Sequence, residues 1–291
     1  MKQPTKFRLI KRVYKDNITL SIIGFGGILV MGMEQSEADR LVEESIRDIG
    51  INYFDVAPSY GDGEAELKLG KALRNSRKEI FLACKTMERN AAGAEKELHR
   101  SLQRFHTDYF DLYQFHAVTD PEDVEQIFAP GGAMQTFLKA RDAGKIRYIG
   151  FSAHSETAAL AMLEKFTFDS ILFPINFVCM AQGNFGPGVI QKATDKGVAI
   201  LALKTLAYSP WPEGMEKRYP KCWYRPVDDP RLARQALRFT LSEPVTAAIP
   251  PGDERLFRLA LELASDFKPM TDMEKKKLLK ATEQVEPLFR A

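Results

Sequence analysis

Short apolar runs alternate with stretches of helical period along the whole chain, and this alternation limits the available folds more than any other feature. The runs are SIIGFGG (21–27), INYFDV (51–56), EIFLACK (79–85), DYFDLYQFH (108–116), KIRYIGFS (145–152), DSILFPINF (169–177), GVAILALK (197–204) and VTAAIP (245–250). Near-continuous apolar strands separated by amphipathic helices make a parallel sheet covered on both faces. Leu98, Leu102 and Phe105 share one helical face. Gly50 after SIRDI reads as a C-terminal cap, and Asp120 before Pro121 as an N-cap with proline at the first helical position. An open doubly wound sheet would announce itself with a Gly-rich phosphate loop after the first strand. In GFGGILVMG, however, the residue three after Gly26 is Leu29. Eight strand–helix units closing on themselves instead give a (β/α)8 TIM barrel, and 291 residues suit a barrel of roughly 250 residues with additions. We expect a single domain over 1–291. KFRLIKRVYKDNITLS reads as an N-terminal β-hairpin turning near Asp16-Asn17, and MTDMEKKKLLKATEQVEPLF as an extra C-terminal helix.

The charge balance excludes several partners. With 41 basic and 39 acidic residues the formal net charge is +2, so neither nucleic acid nor an anionic membrane is an expected partner. The opening MKQPTKFRLIKRVYKD has no apolar core of the kind a secretion signal carries. No apolar run approaches the ~18 residues of a membrane span. Cys84, Cys179 and Cys222 are widely spaced with no CxxC pair. This argues against a disulfide framework or a zinc site and suits a reducing, cytoplasmic setting.

In parallel barrels the chemistry sits at the C-terminal ends of the strands. The second run ends at Asp55, the third at Lys85, the fourth at His116 and the fifth at Ser152. Tyr60 follows Asp55 in the next loop. Three adjacent strands thus bring a carboxylate, an ammonium and an imidazole to one rim, with a phenol above them. A buried lysine and a buried aspartate should pair, because either alone is costly. A phenol beside that ammonium should have its pKa drawn down from about 10, making it a usable proton donor and acceptor. The imidazole opposite can hold a carbonyl oxygen. No metal is implied.

At these residues the chain resembles the aldo-keto reductase superfamily. The likeness is carried by NYFDVAPSYGDGEAELKLGKAL, RSLQRFHTDYFDLYQFH, GKIRYIGFSAHS and AAIPPG. The resemblance implies an eight-stranded β/α barrel that uses NADPH to reduce aldehydes and ketones, with Asp55, Tyr60, Lys85 and His116 as its catalytic tetrad. It implies cofactor contacts at Gly26, Ser152, Asn176, Leu203, Lys204, Gly252 and Arg255. Ala153 stands where the family has Asn, Leu172 where it has Gln, and Leu203 where it stacks an aromatic on the nicotinamide. Lys204 is expected to face the pyrophosphate. Arg255 and Arg258, at the helix after the eighth strand, favour NADPH over NADH, although Asp253 and Glu254 are interleaved with them.

The long segment TLAYSPWPEGMEKRYPKCWYRPVDDP holds both tryptophans, Trp211 and Trp223. It is far longer than an ordinary loop, and we expect a flap over the active rim across 205–230, the alternative being a loop stapled by its own aromatics. The leading reading is an NAD(P)H-dependent oxidoreductase acting on a small-molecule carbonyl. Two others stay open: a cofactor-binding sensor or regulatory subunit with negligible turnover, and a lyase or isomerase using the same acid–base groups.

Overall fold

The computed structural model describes residues 7–291. The first six residues, part of the stretch read as lacking a secretion signal, lie outside it. A hairpin comes first, β1 (Lys11–Lys15) paired antiparallel with β2 (Ile18–Ser21), turning at Asp16-Asn17 as expected. The barrel follows as β3 (Phe25–Gly26), β4 (Tyr53–Asp55), β5 (Phe81–Thr86), β6 (Phe110–Val118), β7 (Ile146–Ala153), β8 (Ser170–Pro174) and β9 (Ala199–Leu203). A second hairpin, β10 (Ala207–Pro210) and β11 (Tyr224–Pro226), precedes the last barrel strand, β12 (Ala247–Ile249). The eight barrel strands run parallel, in the order in which the chain makes them. A bridge between Ile23 and Ala248 closes the ring, with Gly24 N–H donating to the Ala248 carbonyl and Ala248 N–H to that of Ile22, both at 2.9 Å. All eight runs of the sequence are therefore barrel strands.

The helices that bear on the site are α1 (Gln35–Glu44), α2 (Glu64–Ala72), α3 (Ala91–Phe105) and α4 (Pro121–Phe128), with α5 (Phe177–Gly183) directly after β8. Later come α6 (Pro230–Ser242), α7 (Glu254–Ala264) and α8 (Asp272–Lys280). Gly50 closes the turn after α1 with a φ of 81°. Asp120 caps α4 by accepting the Asp123 N–H at 3.1 Å. The extra C-terminal helix is shorter than its sequence suggests. Thr271 and Glu274 start α8 with a reciprocal capping box, but the helix ends at Lys280. Pro287, which cannot be a helix-interior donor, lies in a non-helical tail whose end returns to the barrel mouth, where Ala291 N–H donates to Gly183 at 2.9 Å.

Side chains along each barrel strand alternate between two cores. Phe25, Phe54, Leu82, Tyr113 and Phe115 face the helices. Tyr53, Phe81, Ala83, Leu112, Leu172, Leu201 and Ala247 fill the barrel interior together with Tyr14 of the hairpin. Tyr14 packs on Phe81 with ring centroids 4.9 Å apart and donates to Ser170 Oγ at 3.1 Å. The N-terminal hairpin is thus the barrel's floor, and the open end lies at the strands' C-termini.

Candidate active site

Period two decides what stands above the apolar interior layer. Two residues beyond Tyr53 is Asp55, two beyond Ala83 is Lys85, and two beyond Leu112 is Gln114. All three are buried. The expected pairing is present: Lys85 Nζ donates to Asp55 Oδ1 and to the Val56 carbonyl at 3.1 Å. The other carboxylate oxygen accepts from Gln114 Nε2 at 3.0 Å and from the Tyr53 hydroxyl at 3.3 Å. Sequence reasoning missed Gln114. Its signal was there, since it lies two residues before His116 on the same face.

Tyr60 is half-buried over this layer, with the Lys85 ammonium 5.3 Å from its ring centroid. Its ring meets that of His116 edge-on, with centroids 5.8 Å apart and planes at 83°. The four residues are therefore one contiguous group. The electrostatics differ from expectation in one respect. Burial raises the phenol's pKa above 10, the Lys85 charge opposes this, and the Asp55 carboxylate adds to the rise. The net direction is upward, not downward, because Asp55 cancels part of the ammonium's influence while desolvation acts in full. Lys85 stays protonated: burial works against its charge, but Asp55 and Tyr60 together raise its pKa above the ordinary value. His116 is pushed the other way, far below 6.5, by burial and then by the nearby charge of Lys85. It is a neutral imidazole near pH 7, and its buried Nδ1 has no hydrogen-bond partner among the described residues.

A cleft beside the tetrad is lined by Gly26, Asp55, Tyr60, Leu203, Lys204 and Gly252. It is also lined by Lys221 to Tyr224, where the β10–β11 connection runs into β11. The long aromatic segment is thus ordered as a hairpin, which the sequence reading did not include. Lys221 Nζ reaches across to the Leu29 carbonyl at 2.8 Å, and Trp211 Nε1 donates back to the Cys222 carbonyl at 2.9 Å. Lys204 lies against the rings of Trp223 and Tyr224, its ammonium 5.1 and 4.9 Å from their centroids. It has no ion-pair partner among the described residues, and burial lowers its pKa to about 8.

The other expected cofactor contacts are placed unevenly. Gly26 and Gly252 border the cleft, and a Cβ on Gly252 would come within 2.3 Å of Ile28. Ser152 is buried at the rim, where its Oγ accepts the Ala117 N–H at 2.8 Å, leaving its own hydroxyl hydrogen free to donate. Asn176 is engaged within the protein. Its amide nitrogen donates to the carbonyls of Lys204 and Ala207 at 3.0 and 2.6 Å, and its oxygen caps α5 through the N–H groups of Val178 and Cys179. Its nitrogen thus fastens the start of the β10–β11 segment and its oxygen the start of α5. Arg255 is exposed and held within the protein. Its guanidinium holds Asp253, donates to the Arg218 carbonyl at 3.0 Å and lies 4.6 Å from the Tyr219 ring centroid. Arg258 is held by Glu44 and Glu254.

A nicotinamide dinucleotide fits this arrangement at its pyrophosphate, because Lys204 is a half-buried cation with no carboxylate partner among the described residues and lines the cleft. Of Leu172, Asn176 and Ser152, Leu172 has no polar side-chain atom and Asn176 has donated both amide hydrogens, so Ser152 is the one with a hydroxyl hydrogen left to offer a carboxamide.

His154, beyond β7, is half-buried like His116. Its ring stacks on Phe289 of the C-terminal tail with centroids 5.5 Å apart, and its Nε2 has no partner among the described residues. Burial, then the Lys204 charge, lowers its pKa from 6.5 to about 4. The unfolded chain therefore takes up this proton before the folded one can. The stability that this group contributes is complete above pH 6.5 and lost as pH falls toward 4, a loss of about 3 kcal/mol. Melting curves across that window should fall less steeply for His154→Phe than for the parent. Parallel curves would contradict the assignment.

The Aldo/keto reductase family model matches residues 22–251. The chain is 24% identical to an uncharacterized oxidoreductase, YqkF, of Bacillus subtilis over 94% of this chain and 96% of that protein. Its fold superposes on the holo form of the aldo-keto reductase AKR11C1 from Bacillus halodurans with a TM-score of 0.74, covering 96% of this chain and 98% of the other at 23% identity. An aldo-keto reductase from Klebsiella pneumoniae in complex with NADPH superposes with a TM-score of 0.67, covering 94% of each chain at 19% identity.

Proposed function

The chain belongs to the aldo/keto reductase family, and on that premise we propose that it is an NADPH-dependent reductase of aldehyde and ketone carbonyls in which Tyr60 is the general acid. The observation that carries this reading is the contiguous group of Tyr60, Lys85, Asp55 and His116 at the edge of a cleft that also holds Lys204, which has no ion-pair partner among the described residues. The nicotinamide, when bound, supplies hydride to the carbonyl carbon. His116, neutral, donates an N–H to the carbonyl oxygen and orients it without adding charge. Tyr60 then gives its proton to the oxygen as negative charge develops there. The phenolate left behind is stabilised by the Lys85 ammonium, which Asp55 and the Val56 carbonyl hold in place, Gln114 in turn fixing Asp55. Lys204 would meet the pyrophosphate, and Gly26 and Gly252 border its path.

NADPH is favoured over NADH, in keeping with the NADPH-bound Klebsiella neighbour. The margin should be small. Arg255 must leave Asp253 to meet a 2′-phosphate, so the gain approximates one charge pair in water, roughly 1 kcal/mol or about fivefold in affinity. Competition between the two cofactors at fixed, moderate salt measures this. An NADH affinity equal to or better than that for NADPH would remove the preference.

The direct test of the function is NADPH oxidation across a panel of aldehydes, ketones and quinones, with product analysis. Turnover with reactive aldehydes is expected. Cofactor binding with no turnover above background would favour a sensor or regulatory subunit instead. Product formation without net cofactor oxidation would favour a lyase or isomerase.

A further inference from the structure

The ladder between β6 and β7 fails at one point, next to His116. Phe115 pairs with Phe151, but Val118 pairs with Ala153. Three steps along β6 thus lie against two along β7, and the extra residue falls at His116-Ala117. Ala117 has a φ of 51°, a left-handed conformation that a residue with a Cβ adopts only when its surroundings enforce it. Bulges re-aim side chains and leave backbone groups without ladder partners.

Here side chains stand in for the missing ladder. Ser152 Oγ accepts the Ala117 N–H at 2.8 Å. Arg89 Nη2 donates to the His116 carbonyl at 2.8 Å and to the Ala117 carbonyl at 3.4 Å. Arg89 is itself gripped by Asp123, Nε to Oδ1 at 2.9 Å and Nη2 to Oδ2 at 3.2 Å. Asp123 also accepts the Thr119 N–H at 3.3 Å, which ties the clamp to the start of α4. Both carbonyls and the N–H of the bulge therefore depend on two side chains from other elements, one on the loop after β5 and one on β7.

We propose that Ser152 and the Arg89–Asp123 pair are positioning residues for His116, holding the strained bulge that aims its imidazole at Tyr60. For Ser152 this differs from a role confined to the nicotinamide carboxamide. The inference rests on the reading that His116 orients the carbonyl, so its test includes a measurement independent of turnover.

The chain has four histidines, so the ring resonances of His116 can be assigned by single substitutions and followed by NMR. In Ser152→Ala and in Asp123→Asn these resonances should move, and kcat should fall by about tenfold, the scale of a small misplacement of a reacting group, with NADPH affinity unchanged in Asp123→Asn, whose side chain lies outside the cofactor contacts. Glycine adopts left-handed backbone without strain, so Ser152→Ala/Ala117→Gly should recover most of the lost kcat. Resonances that coincide with those of the parent in both variants overturn the proposal, whether or not the protein turns over any carbonyl. A weaker NADPH affinity with unmoved resonances and no recovery by Ala117→Gly overturns it in favour of a carboxamide contact. Should Ser152→Ala fail to fold, Asp123→Asn, at a partly exposed carboxylate, decides by the same resonances and kcat. If the parent reduces no carbonyl, the proposed function falls while the resonances still decide the positioning role.

Discussion

Tyr60→Phe is expected to lower kcat for carbonyl reduction by about two to four decades, the usual contribution of a positioned general acid, while leaving the fold and cofactor affinity nearly intact. The phenol's hydroxyl is the only group removed, and the ring's contact with His116 survives. The pH dependence follows from the direction of the shift. Burial raises the phenol's pKa above 10, so the proton is available throughout the neutral range and reduction should weaken only in strongly alkaline solution. The His116 imidazole, held far below 6.5, should add no inflection near pH 6.5. Pre-steady-state and steady-state rates from pH 6 to 10, for parent and variant, check both points. A variant as fast as the parent would reduce Tyr60 to a packing residue.

Lys85→Met should abolish turnover and also destabilise the fold. Lys85 is fully buried and its partner Asp55 nearly so, and removing one member of such a pair strands the other's charge, at a cost of about 3–5 kcal/mol. For a chain of this size that corresponds to a drop in melting temperature on the order of 10 °C. The sign with pH is fixed by the raised lysine pKa. Stability from this group is complete below about pH 10.4, the unfolded value, and is lost as pH rises through the folded one. Asp55→Asn/Lys85→Met should melt well above Lys85→Met alone, because no unpaired carboxylate is left in the barrel, yet remain inactive. If the double variant melts no higher than the single, the pair's charge complementarity is not what stabilises this layer.

The barrel and the tetrad's location are legible from local pattern. Alternation of apolar runs with helical stretches names eight strands, and period two along each strand selects which residues point inward. Asp55, Lys85 and His116 are found this way because strand geometry is a property of neighbouring residues, and Gln114 was legible by the same rule. The hairpin turn at Asp16-Asn17 and the caps at Gly50 and Asp120 depend on short-range backbone chemistry and are read equally well.

What a polar side chain does once it is inside depends on residues far away in the chain, and no local period encodes that. Asn176 looks like a free amide until Lys204 and Ala207, 28 and 31 residues on, take its hydrogens. Arg255 looks like a free guanidinium until the Arg218 carbonyl, 37 residues earlier, is placed against it. The proton affinity of Tyr60 has the opposite sign from that given by its nearest charge, because desolvation sums over every element packed around the ring while Lys85 is one contribution among several. The bulge at Ala117 has no glycine to mark it. It exists because β7 and the loop after β5 supply Ser152 and Arg89 at the positions where the ladder's own donors and acceptors run out. Chain connectivity thus sets the direction in which each side chain points, and three-dimensional packing sets its charge, its partners and its strain.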